Sequence, residues 1–302
     1  MTRRAWAAFA AMSVIWGMPY LFIKVAVDDG ISPAFLSFAR VLLAAVVLLA
    51  LAWRADALSS LRGHWQWVAA YAVAEIALPF PLIAAGEQRV SSSLAAILIA
   101  CVPLLVAVIA IRFDASERAT GIRLVGLFVG LAGVVALVGI DVAGKTDELI
   151  GTGLIVLAAV GYAIGPMVLK RKLAHLDARA TMGGSLAIAA ALLALPAAVS
   201  LPSETPTPEA AFSLVFLGLV CTALAFVVFS VLIREAGPSR ALVITYVNPV
   251  VAVALGVAIL GERPGAGAVA GLLLILAGSW LSTDGRLPPG FRRRPSGGVV
   301  PA

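Results

Sequence analysis

Ten runs of apolar residues, each close to the length of one membrane crossing, occupy almost the whole of this 302-residue chain. They begin near Trp6, Pro33, Trp65, Ser91, Gly121, Ile150, Ala178, Ala210, Ser239 and Gly265. The segments between them are short and rich in Gly, Pro, Asp, Glu and Arg, the residues of turns and connections. About 20 apolar residues make a helix long enough to cross about 30 Å of hydrocarbon. The runs are continuous and lack the period-two alternation of barrel strands, so membrane-spanning helices are expected.

Composition agrees that the solvent is lipid. The chain is 62% hydrophobic and 13% charged, with a mean hydropathy of +1.05. Soluble domains carry about 25% charged residues, and a water-soluble core has no room for this much apolar surface. The run behind Arg3 and Arg4 is longer than a signal-peptide core and has no small-residue cleavage site, so it reads as a retained span. Cys101 and Cys221 fall inside apolar runs and read as small packing residues without a disulfide framework. His64 and His175 fall in polar connections, away from mid-membrane depth. No spacing unites His with Cys as metal ligands, and no G-x-S-x-G elbow is present, so no metal or cofactor is expected. An intramembrane enzyme is therefore the disfavoured alternative class, and the expectation is that the chain is not an enzyme.

Basic residues set an orientation. With ten crossings both termini lie on one side, and that side holds seventeen Lys and Arg, from Arg3 and Arg4 to Arg292, Arg293 and Arg294. The opposite connections hold only Arg89, Lys145 and Arg263. This positive-inside bias places both termini in the cytoplasm of a cell, or bacterial-type inner, membrane. The net charge of +6 then reads as orientation signals touching anionic lipid, not as a nucleic-acid interface. The stretch 285–302, which contains FRRRP, reads as a basic, disordered cytoplasmic tail.

The chain also repeats itself. A shift of 146 residues places Lys24 on Lys170, Trp16 on Tyr162 and Pro103 on Pro249. After one gap Glu117-Arg118 falls on Glu262-Arg263, Gly126 on Gly271, and the LAG at 131–133 on that at 276–278. Residues 1–145 and 146–284 are thus read as two repeats of five spans each. Five is odd, so the second repeat enters the membrane upside down relative to the first. Inverted repeats around a midplane site are the architecture of alternating-access transporters.

The residues at this point resemble a known family. WG followed by Lys24 in the first span, Arg40 early in the second, the break at Pro103, ER-x-x-G-x-x-x-x-G with LAG, and YVNPV followed by LGERP are similar to the two copies of the EamA repeat. That resemblance implies a ten-helix exporter of the drug/metabolite transporter superfamily. It further implies small metabolites, neutral or aromatic amino acids foremost, as substrates. Export of quaternary cations is the alternative, since aromatic walls attract such cations.

Candidate site residues follow from depth and helix breaks. Trp6, Trp53, Trp65, Trp67 and Trp280 map to one end of the spans as an interfacial belt, whereas Trp16 lies about 15 Å deeper than Trp6. Trp16 and Tyr162 are expected either to wall a central cavity from opposite sides or to serve ordinary packing, with Tyr20, Tyr246 and Asn248 beside them. Pro19, Pro79, Pro103, Pro166 and Pro249 are expected to open their helices and free backbone carbonyls. Arg40 and Glu75 fall at similar depths and are expected to pair. The pair is either structural, or it supplies substrate carboxylate recognition by Arg40 and proton coupling through Glu75. Lys24, near the rim, is expected to snorkel to the headgroups or to act as a gate. GLFVG, GYAIG and GAVAG are read as close helix packing within a monomer.

Overall fold

The computed structural model describes residues 2–113, 121–236 and 244–282. Among them every regular element is helical, and ten spans follow one another. We number these α1 (Arg3–Asp28), α2 (Pro33–Arg54), α3 (Trp65–Glu87) and α4, made of Ser92–Ile99 and Val102–Phe113. Next come α5 (Ile122–Val142), α6 (Thr146–Leu173), α7 (Ala178–Ala198), α8 (Pro208–Ala236), α9 (Ile244–Leu260) and α10 (Ala266–Ser282). The expected start at Ser239, the Glu117-Arg118 pair and the tail from 285 lie outside the described residues.

Side chains that close orphan backbone donors set the helix starts. Thr2, Ser32, Ser91, Asp177 and Thr207 each accept a backbone N–H of the first turn of α1, α2, α4, α7 and α8. Pro33 and Pro208 stand at first helical positions, where a missing N–H costs nothing. At Asp177 the Arg179 guanidinium, bonded to its carboxylate, holds that carboxyl below its ordinary range.

Helix partners cross between the two halves. In each of the closest pairings, α1 with α8, α2 with α7, α3 with α6, α4 with α9 and α5 with α10, one helix comes from each repeat. Exchanging α1–α5 with α6–α10 maps this set onto itself, as a pseudo-twofold relation between inverted halves requires. Of four widened π turns among the described residues, including Val138–Val142 of α5 and Leu169–Leu173 of α6, one pair shows the same offset. α3 has one at Val73–Ala77 and α8 has one at Leu219–Leu224, beginning 146 residues later, the offset read from the sequence.

Glycines permit the closest approaches, and they do so within the chain. A Cβ on Gly278 of α10 would run into the backbone of Gly130 and into Gly126 O of α5, and one on Gly271 would lie 3.0 Å from Gly133 O. In GYAIG, Gly161 lies against the carbonyl of Ala74 on α3. Large apolar side chains such as Val46, Phe128, Val135, Leu195 and Leu273 remain on the outside, where hydrocarbon is their solvent. Trp6, Trp53, Trp65 and Trp280 are likewise exposed at one end of the bundle.

The proline expectations divide. α1 is interrupted between Ile15 and Pro19, α4 between Ile99 and Val102, and α3 resumes after its π turn at Pro79. Pro166 and Pro249, in contrast, sit inside continuous helices. Their carbonyl-clash penalty is absorbed by helices held on both sides, so a proline alone does not break a span here.

Gly278→Ala is expected to lower the melting temperature in detergent, by a cost of about 1–3 kcal/mol for forcing two backbones apart. Gly153→Ala, where a Cβ meets open space, is expected to leave it unchanged. Equal effects of the two would contradict the seam.

Candidate functional site

A guanidinium in the hydrocarbon layer must find donors' partners inside the protein, and Arg40 shows where they are. Its Nε donates to Thr222 Oγ1 at 2.9 Å, and its guanidinium carbon stands 4.1 Å from the centre of the Phe80 ring. The residue is 7% exposed. Thr222 lies in the π turn of α8 and donates its own hydroxyl to Leu217 O, five residues back, at 2.8 Å. One hydroxyl thus gives its proton to the widened helix and its lone pair to arginine. Phe80 comes from α3, just past that helix's π turn. Arg40 therefore joins α2 to the irregular turns of both repeats.

Glu75 occupies the π turn of α3 itself. Its Oε2 is shielded from solvent and has no hydrogen-bond partner. The carboxyl lies against Gly165 of α6, where any Cβ would collide with it. The expected Arg40–Glu75 pair does not form. Arg40 instead donates its Nε to Thr222 and lies over Phe80, and the widened turn brings Glu75 against α6. Tyr162 interacts electrostatically with both Arg40 and Glu75, and Tyr20 with Arg40 and Tyr162. Tyr71, one helical turn before Glu75, donates to Met182 Sδ at 3.7 Å. Tyr20, Arg40, Glu75 and Tyr162 form one polar neighbourhood drawn from α1, α2, α3 and α6.

The remaining expected residues are placed elsewhere. Trp16, half-buried at the α1 break, packs on Phe229 at 4.8 Å and meets Phe226 edge-on at 6.3 Å, both on α8. Tyr162 packs with other clusters than Trp16, so the two aromatics are not in direct packing contact. With its side-chain amide assigned so that the nitrogen faces the neighbouring carbonyls, Asn248 donates to Ile244 O at 2.9 Å and to Ser13 O at 3.1 Å, tying α9 to the last turn before the α1 break. Tyr246 donates to Ser279 O of α10 at 3.2 Å. Pro79 is buried after the α3 π turn, and Pro103 is half-buried after the α4 break.

At the rim the Lys24 ammonium donates to the backbone carbonyl of Glu87 at 2.9 Å and pairs with the half-exposed Asp28 at 2.9 Å, so it has acceptors within the protein. Two lateral crevices open on the surface, of about 440 Å³ between α1 and α8 and about 410 Å³ between α2 and α7. None of the expected site residues lines either. Thr222, Phe80, Tyr71 and Gly165 were missed by sequence reasoning. Only the rule that a buried arginine needs partners, and the GYAIG motif, pointed toward any of them.

Comparison with known proteins fits this architecture. Residues 4–139 and 149–283 each match the model of the EamA-like transporter family. The chain is 26% identical over 280 residues to an uncharacterized transporter, YoaV, of Bacillus subtilis, covering 90% of this chain and 94% of that one. It is 29% identical over 262 residues to an uncharacterized inner membrane transporter, YedA, of Escherichia coli K12, covering 84% and 82%. A protein of known crystal structure superposes with a TM-score of 0.66 at 22% identity, over 94% of this chain and 98% of that one, and so shares the fold.

Thr222→Val keeps the shape of the side chain but removes the acceptor of Arg40. It is expected to destabilise the folded protein by about 1–3 kcal/mol, the cost of one buried unsatisfied group. A melting temperature equal to that of the native chain would remove Thr222 from this role.

Proposed function

The chain belongs to the EamA-like transporter family, and from that premise we propose that it exports small neutral or aromatic amino acids by alternating access. It is a multi-pass membrane transporter of inverted repeats, and the reading concerns its cargo, direction and binding groups. Both termini face the cytoplasm, and export runs from their side to the side of Asp28. Residues 1–145 and 146–284 are the two moving units.

The observation that carries the reading is the Arg40 centre. A buried guanidinium held through one nitrogen keeps further N–H groups for a carboxylate. Within the same neighbourhood Glu75 has an unpartnered oxygen, and Pro166 offers no N–H to the carbonyl of Tyr162. An amino acid presents one carboxylate and one ammonium, matching these two poles. Tyr20, Tyr162 and Phe80 supply the apolar and aromatic wall that an uncharged side chain prefers. Trp16, Tyr246, Asn248, Pro79 and Pro103 support the breaks around it and contact the substrate as access changes. The isolated acceptor of Glu75 between tyrosines also favours a second reading, in which a quaternary cation binds without a carboxylate.

Proteoliposome counterflow with labelled phenylalanine and alanine tests both readings. The native chain is expected to move them, and Arg40→Lys, which keeps charge but loses the planar fork, is expected to lose at least about tenfold. Movement of a tetraalkylammonium but of neither amino acid would favour the cation reading. Glu75→Gln is expected to abolish amino-acid counterflow; a variant that kept counterflow and lost only its pH response would assign Glu75 to proton coupling instead. Trp16→Ala with undiminished counterflow of every substrate would remove Trp16 from the path.

A further inference from the structure

We propose that Glu87 is a proton-binding site: its carboxyl carries a proton in this conformation and yields it to water when the Asp28 face opens. The use of that proton to drive export rests on the transport reading above. The site itself rests on geometry.

Glu87 closes α3 and is wholly buried. Neither carboxyl oxygen has a hydrogen-bond partner. An ionised carboxylate offers only acceptor sites and is costly to bury without donors, so a buried carboxyl that accepts nothing is stable as the acid. The nearby ammonium of Lys24 makes no hydrogen bond to the carboxyl. Lys24 spends its ammonium on the backbone carbonyl of Glu87 and on Asp28.

The charges around Glu87 are of both signs, and it is burial without a donor that favours the acid. α1 presents Lys24, Asp28 and the hydroxyl of Tyr20, and α2 presents Arg40, already committed to Thr222 and Phe80. The connection between α9 and α10 presents Glu262, which accepts from Ser92 N at 2.7 Å, from Ser93 N at 3.0 Å and from Ser93 Oγ. α6 meets this end of α3 through Gly151 and Ile155, which do not titrate. Arg89, on the following turn, bonds to Ala85 O at the surface. Two anions and two cations therefore surround Glu87, and neither cation donates a hydrogen bond to its carboxyl. Beside them the Ser92 hydroxyl is also buried without a partner.

Opening of the Asp28 face lets water reach the acid. The O–H bond of Glu87 breaks, water takes the proton, and the carboxylate accepts Lys24, whose ammonium leaves Asp28. Closure requires the reverse uptake of one proton. The closed Asp28 face is therefore favoured at low pH and lost as pH rises.

The test needs no transported substrate. Ser92→Cys removes no side-chain hydrogen bond and places a thiol beneath the Glu262 connection, in a chain whose Cys101 and Cys221 are replaced by alanine. A membrane-impermeant maleimide is added from the Asp28 side of proteoliposomes, and each rate is divided by that of the unfolded chain at the same pH. The normalised rate is expected to fall as pH falls from about 9 to about 6, by up to about tenfold per unit for one linked proton. With Glu87→Gln, a neutral mimic of the acid, it is expected to be slow and flat. A pH-independent rate in the Glu87 chain, or an unchanged pH dependence in the Gln variant, would overturn the proposal. Failure of the export reading would instead appear as absent counterflow and would leave these rates untouched.

Discussion

Inside hydrocarbon a backbone N–H or C=O has no water to turn to, so each interruption of a spanning helix must be met by another part of the protein. That constraint organises this molecule. The α1 break is braced by Asn248, whose amide reaches Ser13 O, while Gly17 lets the chain of α9 approach through Val251 and Asn248 O. The π turn of α8 is held by Thr222 and, through it, by Arg40. The π turn of α3 is seated on α6, with Ala74 O against Gly161 and Glu75 against Gly165. At these three places the irregular backbone is covered by the opposite repeat.

The two faces are closed by contacts of the same kind. On the Asp28 side, carboxylates of one repeat cap helix N-termini of the other: Glu262 caps α4, and Asp141 accepts from Gly267 N at 3.1 Å and Ala268 N at 2.6 Å at the start of α10. Asp29 also accepts from Thr207 N at 3.1 Å, beside Ser32, which donates to Ser200 O at 2.7 Å. A negative group at a helix N-terminus meets both orphan donors and the positive end of the macrodipole. On the Arg3 side, Thr2 donates to Glu235 at 2.9 Å, and the Nε2 atoms of His64 and His175 approach to 3.2 Å. These contacts join repeat to repeat at both rims.

Much of the fold was legible because its signals are long. Ten apolar runs gave ten spans, and expected starts such as Pro33 and Ala210 fall within a few residues of the observed Pro33 and Pro208. The 146-residue offset, inferred from sparse matches, reappears in the paired π turns, although no residue type announces a π turn. Site geometry was less legible because depth along a helix says nothing about direction around it. Arg40 and Glu75 share a depth, yet one turns to Thr222 and the other to Gly165. Lys24 had the position of a snorkelling residue, and only the fold brings the Glu87 carbonyl within its reach. The prolines misled for a related reason: Pro166 and Pro249 have the same chemistry as Pro19, yet they lie inside helices while Pro19 begins one.

The central claim is that the two inverted repeats move against each other around a covered centre. Paired spin labels at Gln88 and Glu204 report the Asp28 face, and labels at Ser59 and Ala174 report the Arg3 face, each pair spanning the two repeats. Distances measured by double electron–electron resonance, with and without a candidate amino acid, are predicted to change in opposite senses, one pair widening as the other narrows. Both pairs widening together, or neither moving while the protein transports, would contradict the account.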